Sequence, residues 1–232
     1  MPMLQVNGVR LHVEDAGSGE AVLFLPGLGL KVSECHRLLA PFRTARRVLA
    51  IDNRGAGLSD RPEQPYTIHT MAEDAAQVLG ACGVRRAHVV GVSMGGKIAL
   101  SLALVHPEMV RSLVLASTQA GPPSPAQRRR LGQLSLLARL FDPAADRIGR
   151  EHQRAASLAF DCWADLPNVR VPTLIIHGRA DRVASYSLAR EMQQRIPVSR
   201  LVAVPGGHMF FIFRPKALAD PALQFWAGLP TE

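Results

Sequence analysis

The string Gly91-Val92-Ser93-Met94-Gly95 places one hydroxyl between two glycines, where the β-branched run HVVGVS gives way to the helix-like KIALSLALVHP. With this glycine and serine content a G-x-S-x-G pentapeptide arises by chance in roughly one such chain in ten, so its context must carry more than the string. A strand entering and a helix leaving make a sharp turn that exposes the serine Oγ and demands tiny neighbours, which Gly91 and Gly95 supply. The departing helix also aims its free N–H groups and positive dipole end at the hydroxyl. A serine is a weak nucleophile unless a base takes its proton and a third group orients that base. Both partners are available just past late apolar runs: Asp181 in Gly178-Arg179-Ala180-Asp181 after PTLIIHG, and His208 in Gly206-Gly207-His208 after RLVAVPG. The chain order Ser, Asp, His is the one expected for this kind of turn and differs from the other serine triads. His177 competes by its nearness to Asp181, but it ends a buried-type strand and reads as a packed core histidine.

Such a trio would transfer an acyl group to water, and the tetrahedral oxyanion that forms on the way needs hydrogen-bond donors. The backbone N–H of Met94, directly after the serine, is one. The second is expected from Gly27-Leu28-Gly29 after the run AVLFLP, with the Leu28 N–H as the choice. That loop has a rival reading, because Gly27-x-Gly29 after a strand, with Asp52 ending the next strand, imitates a dinucleotide fingerprint. The imitation breaks at the third glycine position, which is Val32, and no second half-site follows.

The elements that must position these residues follow from the apolar pattern. Alternating residues around Asn7-Gly8 predict an opening antiparallel hairpin. Solid apolar runs then recur at 21–26, 48–52, 88–93, 112–117, 172–178 and 200–206, as expected of parallel strands buried on both faces. Helical spacing over 67–82, 96–105 and 185–196 supplies crossovers, so the fold class is α/β with a doubly wound sheet. Residues 119–170 are too long for a simple crossover. After Gly121-Pro122-Pro123-Ser124-Pro125, a helix with Leu131, Leu134, Leu137 and Phe141 on one face reads as an inserted helical lid, dividing the chain into a core of 1–118 and 171–232 and a lid of 119–170. Leu131, Leu134, Leu137, Trp163, Met209 and Phe210, with Leu28 and Met94, are the candidate lining of an apolar substrate pocket.

Composition narrows the classes. At 232 residues, 47% hydrophobic and 20% charged, the chain can bury a large core without staples. Its net charge of +8 comes from basic residues scattered over the chain apart from Arg46-Arg47, Arg85-Arg86 and Arg128-Arg129-Arg130, which reads as a solvated surface and not a nucleic-acid site. Three cysteines at unrelated spacings fit reduced thiols better than a disulfide framework or zinc site. No signal-peptide pattern and no membrane-length apolar run appear, so a cytoplasmic protein is expected.

Over nearly its whole length the chain resembles the α/β-hydrolase family. The matching pieces are LPGLG at 25–29, DNRGAGLS at 52–59, the turn GVSMGG, HGRADRV at 177–183 and GGHMFF at 206–211. The resemblance is to the small lid-bearing esterases and lactonases, of which 3-oxoadipate enol-lactonases and carrier-protein methyl ester esterases are examples. It implies an α/β-hydrolase fold, with a mostly parallel eight-stranded sheet, helices on both faces and a short lid after the sixth strand. It also implies Ser93, Asp181 and His208 as triad, no metal or organic cofactor, and a small ester, lactone or thioester as substrate, with a carrier protein as one way of presenting it. Family members that open haloalkanes or epoxides carry aspartate at the elbow, where this chain has Ser93. C–C bond hydrolysis, acyl transfer, cofactor-free perhydrolysis and non-catalytic sensing of a small ligand remain alternatives on the same scaffold. The family usually has His-Gly where this chain has Pro26-Gly27, which removes a side-chain contact behind the oxyanion loop.

Overall fold

Asn7 and Gly8 turn the chain with φ of 44° and 75°, joining β1 (Met3–Val6) to β2 (Val9–Ala16) with Val6 opposite Val9. Two positive φ values in a two-residue loop match the twist of a hairpin, which is why Asn-Gly serves there. The structure, a computed structural model, describes residues 3–129 and 147–230. Six further strands follow: β3 (Ala21–Leu25), β4 (Arg47–Ile51), β5 (Ala87–Val92), β6 (Val110–Ala116), β7 (Thr173–Gly178) and β8 (Ser199–Val204). They form one eight-stranded sheet in the order β1-β2-β4-β3-β5-β6-β7-β8. Strand β2 runs antiparallel to β1 and β4, and all other neighbours are parallel.

The period of two in the apolar runs splits the core into two layers. Leu23, Leu25, Val89, Leu113, Leu115 and Ile175 face one side, where α2 (Ile68–Ala81), α3 (Met94–Val105) and α5 (Tyr186–Arg195) pack. Val22, Phe24, Val90, Val92, Val114, Ala116 and Ile176 face the other, covered by α1 (His36–Arg43), α6 (Phe210–Phe213) and α7 (Lys216–Ala227). The expected mostly parallel sheet with helices on both faces is therefore present. Helices α1 and α7 were not anticipated, because each is short or carries an internal proline, Pro41 and Pro221, that obscures a helical pattern.

From β3 the chain steps one way to β4, then returns past β3 to β5 and continues the other way. This reversal makes the loops at the carboxyl ends of β3 and β5 leave in opposite directions, the place where sheets of this kind bind ligands. Gly27 follows β3 and Ser93 follows β5, so the fold itself brings these two loops face to face.

Within 119–170, residues 125–129 are helical, α4 spans Arg147–Ala159, and a single 3₁₀ turn covers Leu166–Asn168. The candidate pocket residues Leu131, Leu134 and Leu137, and Phe141 beside them, lie outside the described residues.

A glycine pair tests the packing. A Cβ on Gly95 would sit 1.9 Å from the Leu25 carbonyl oxygen, whereas one on Gly80, in the last turn of α2, would meet nothing within 4 Å. In urea titrations Gly95→Ala is expected to lose ~3 kcal/mol or more. Gly80→Ala is expected to gain about 0.5–1 kcal/mol from helix propensity alone.

Candidate active site

Ser93 stands between β5 and α3 with φ 53° and ψ −117°, a left-handed conformation that costs a residue with a side chain on the order of 1–3 kcal/mol. The surroundings hold it there. Its N–H donates to Ala116 O at 2.9 Å, and its carbonyl accepts from Gly96 N at 3.0 Å and from the Thr118 hydroxyl at 2.7 Å. The turn is tight enough that a Cβ on Gly91 would lie 2.4 Å from Gly95 O, and one on Gly96 would lie 2.6 Å from the Thr118 side chain.

The three residues singled out by type and chain position meet. Ser93 Oγ lies 3.0 Å from His208 Nε2, and His208 Nδ1 lies 2.9 Å from Asp181 Oδ2. Their loops are stitched together: Arg179 N–H donates to Val204 O, Ala180 N–H to Gly206 O, and the Ser117 hydroxyl to His208 O at 2.8 Å. The Asp181 side chain is fully buried and its Oδ1 accepts from the N–H groups of Val183 and Ala184 at 2.8 and 3.0 Å. Burial pushes this carboxyl up, but hydrogen bonds from His177, His208 and the Val183 N–H outweigh it and hold Asp181 well below the usual carboxylate range. The direction of that shift favours the carboxylate anion near neutral pH. His177, the competitor, is wholly buried, with Nε2 2.8 Å from Ala184 O and 3.2 Å from Asp181 Oδ2. It braces the carboxylate from behind.

Facing Ser93 is the loop after β3. A Cβ on Gly27 would lie 3.3 Å from Ser93 Cβ. Gly27 to Leu30 form a turn closed by Leu30 N–H to Gly27 O at 3.1 Å, with Gly29 at φ 69°, as a type II turn demands of its third residue. The Gly29 N–H is taken by Gln153 Oε1, while the Leu28 N–H has no acceptor among the described residues. Met94 is the first residue of α3, so its N–H has no intrahelical acceptor. Behind this loop the Pro26 carbonyl accepts from Asn53 Nδ2 at 3.1 Å.

Other clusters of reactive residues are spent on structure. Asp52, the residue that imitated a ribose ligand, accepts from Val32 N and Leu58 N and from His12 Nδ1, at 2.7, 3.0 and 2.9 Å. Cys35 and Cys162 are free thiols pushed up to about 12, mainly by burial, which removes them as nucleophiles near neutral pH. Among the described residues no group of three or more His, Cys, Asp or Glu is placed to hold a metal ion, and no helix is long and apolar enough to cross a membrane. Of the candidate pocket residues, Met209 is half-buried beside His208, whereas Phe210 is 3% exposed and packs edge-on against Phe211 within the core. Trp163 packs on Gly121 and under the Arg195 guanidinium.

Sequence reasoning missed Ser117 and Thr118, whose adjacent hydroxyls hold the carbonyls of His208 and Ser93 from the end of β6. It also missed Gln153 and Lys97. Lys97, one turn into α3 and 4% exposed, donates to Gly121 O at 3.0 Å and Ser157 O at 2.6 Å, tying both described arms of 119–170 to the helix that follows Ser93.

A family described as the alpha/beta hydrolase fold matches residues 20–162. The chain is 33% identical to the 2-hydroxymuconate semialdehyde hydrolase of Pseudomonas putida, over 84% of this chain and 82% of that one. Its fold superposes on a hydrolase from Pseudomonas aeruginosa PA01 with TM-score 0.88 and 28% identity, covering 98% of each chain. An enol-lactonase from Burkholderia xenovorans LB400 gives TM-score 0.87 and 25% identity over 97% of this chain and all of that one.

Burial lowers the Lys97 ammonium from 10.5 to about 8, a pull that the nearby Cys162 and Asp161 only partly oppose. Below pH 8 the group is charged in both folded and unfolded chains, so folding bears the full cost of burying the charge. Between 8 and 10.5 the folded chain gives up a proton that the unfolded chain still binds, so stability rises with pH across that window. The unfolding free energy of the wild type minus that of Lys97→Met is expected to grow by on the order of 3 kcal/mol from about pH 7 to about pH 10.5. Denaturant titrations at the two pH values measure it, and a flat difference would mean that burial does not lower the Lys97 ammonium.

Proposed function

Because the chain belongs to the alpha/beta hydrolase fold family, we propose that it hydrolyses a carboxylic ester or lactone through an acyl-enzyme on Ser93. The observation that carries this reading is the continuous line from Ser93 Oγ through the His208 imidazole to the buried Asp181 carboxylate, with links of 3.0 and 2.9 Å.

In this mechanism Ser93 Oγ attacks the carbonyl carbon as its proton passes to His208 Nε2. Asp181, held ionised, fixes the tautomer by accepting from His208 Nδ1 and stabilises the imidazolium. The oxygen of the substrate carbonyl becomes an oxyanion between the N–H groups of Met94 and Leu28, and the first-turn dipole of α3 adds to their effect. Collapse expels the alcohol, which takes the proton from His208. Water then repeats the sequence: His208 accepts a proton from it, hydroxide adds to the acyl carbon, and Ser93 leaves with the returned proton. Residues 119–170 act as a lid over this site, a role supported by the Lys97 bonds to Gly121 and Ser157. The likeness to an enol-lactonase supports an ester-type substrate, and the three free cysteines support a reducing, cytoplasmic setting.

A second reading is favoured by the 33% identity to the 2-hydroxymuconate semialdehyde hydrolase: the same three residues would then hydrolyse a carbon–carbon bond. A panel of p-nitrophenyl esters, lactones and a vinylogous diketo acid separates the two by which substrate is turned over.

On the preferred ester, Ser93→Ala is expected to lower kcat/KM by ~10⁴-fold or more, and Asp181→Asn by ~10⁴-fold with little change in KM. A fluorophosphonate should label Ser93 and no other residue by peptide mass spectrometry. Turnover that survives Ser93→Ala would remove the acyl-enzyme reading.

A further inference from the structure

Gln153 is a polar residue with no exposed surface, and both ends of its amide are in use. Its Oε1 accepts the Gly29 N–H at 2.8 Å and its Nε2 donates to Arg54 O at 2.8 Å. One side chain thus joins α4, the loop after β3 and the loop after β4. The helix reaches these loops because it carries Gly149 at the contact: a Cβ there would lie 2.2 Å from Gly55 O. Tyr66 secures the same contact independently, with its hydroxyl 3.0 Å from Arg54 O and 3.3 Å from Gly149 O.

The bond to Gly29 matters because of where it falls in the turn. A type II turn converts to type I by rotating its central peptide, here the unit joining Leu28 to Gly29, and that rotation re-aims the N–H of Gly29. With Gln153 Oε1 as its acceptor, the Gly29 N–H cannot swing without leaving a buried glutamine oxygen unpaired, which costs roughly 1–3 kcal/mol. The anchor on Gly29 also pins the far end of Leu28, so it limits how far Leu28 and its own N–H, left without an acceptor among the described residues, shift relative to Ser93.

We infer that Gln153 is a positioning residue that sets the oxyanion donor Leu28 N–H and makes it depend on α4 being docked. This rests on the acyl-transfer reading above. The donor set is complete only while the α4 segment of 119–170 is seated, so seating of that segment over a substrate and stabilisation of the oxyanion become one event. The same coupling compensates for Pro26, since the loop is steadied from above by a residue of the inserted segment.

The test uses the full-length protein and a p-nitrophenyl ester, comparing Gln153→Met, Gln153→Glu, Tyr66→Phe and Ser93→Ala. Gln153→Met removes both bonds at nearly constant volume. Gln153→Glu keeps an acceptor for Gly29 N–H but loses the donor to Arg54. The expected result is a kcat about tenfold lower or more for Gln153→Met, with KM within about twofold, partial recovery in Gln153→Glu, and a clearly smaller loss of kcat in Tyr66→Phe, which loosens the same docking but leaves the Gly29 bond in place. Affinity for a trifluoromethyl ketone, which forms the tetrahedral adduct, should fall in proportion to kcat/KM, whereas a ground-state amide analogue should bind as before. The inference is overturned if Gln153→Met keeps wild-type kcat, if Tyr66→Phe loses as much as it does, or if ketone and amide affinities fall together. Should Gln153→Met not fold, Gln153→Leu, which likewise offers the Gly29 N–H no acceptor, is read by the same comparison. Ser93→Ala that stays active defeats the functional reading itself, whereas an inactive Ser93→Ala beside a fully active Gln153→Met defeats only this inference.

Discussion

A serine held at φ 53° between a strand and a helix is the constraint from which the rest of the site follows. The chain cannot make this turn unless the backbones of β5 and α3 nearly touch, so Gly91, Gly95 and Gly96 have no room for a Cβ. Nor can it hold the turn without external hydrogen bonds that offset a strain of about 1–3 kcal/mol. Ala116 O, Gly96 N and the Thr118 hydroxyl supply them. Two of those partners lie at or just past the end of β6, so the strained conformation exists only once β5 and β6 are paired. The exposed Oγ is a product of the whole sheet.

The same edge solves the problem of the other two residues. His208 and Asp181 sit on loops that leave β8 and β7, which would otherwise be free to splay. Backbone bonds from Arg179 and Ala180 to the β8 loop lock them in register, and Ser117 takes the His208 carbonyl. Since Ser117 and Thr118 are consecutive, one short segment fixes the base and the nucleophile relative to each other. Ser117 itself has φ 48°, so strain recurs where the support is greatest. Behind them His177 and the N–H groups of Val183 and Ala184 keep Asp181 charged at full burial, where a lone carboxylate would protonate instead.

What could be read from the sequence was what depends on short range. Ser93, Asp181 and His208 each directly follow a solid apolar run, so placing the run as a buried parallel strand places the residue at its carboxyl end. The strands were legible for the same reason. Gln153 in REHQRAASLAF looks like any solvated polar residue of an amphipathic helix, because its burial is decided by Gly55 and Gly29, about a hundred residues earlier in the chain. Lys97 was hidden by the opposite effect: a charged residue in an apolar helix reads as its wet face, yet its partners are carbonyls of Gly121 and Ser157. Phe210 was expected in the pocket because it neighbours His208, but the half-turn that follows aims its ring into the core with Phe211.

A second serine, histidine and aspartate stand together in this protein, and the contrast shows what distinguishes a reactive line from a collection of the right residues. His12 Nδ1 lies 2.9 Å from Asp52 Oδ2, much as His208 does from Asp181, and Ser59 adjoins both residues. Yet the Ser59 hydroxyl accepts from the His12 backbone N–H and donates to the Asp52 backbone carbonyl, so its proton and lone pair are both committed to the main chain. An imidazole ring is absent from those bonds, and with it any route for the serine proton to a base. Asp52, moreover, divides its carboxylate among Val32, Leu58 and His12, which ties the loop after β3 to the loop after β4. One cluster spends its polarity holding two loops still. The other, with Ser93 strained outward and its backbone satisfied by neighbours, leaves the hydroxyl free to meet Nε2, so backbone satisfaction is what separates the structural trio from the reactive one.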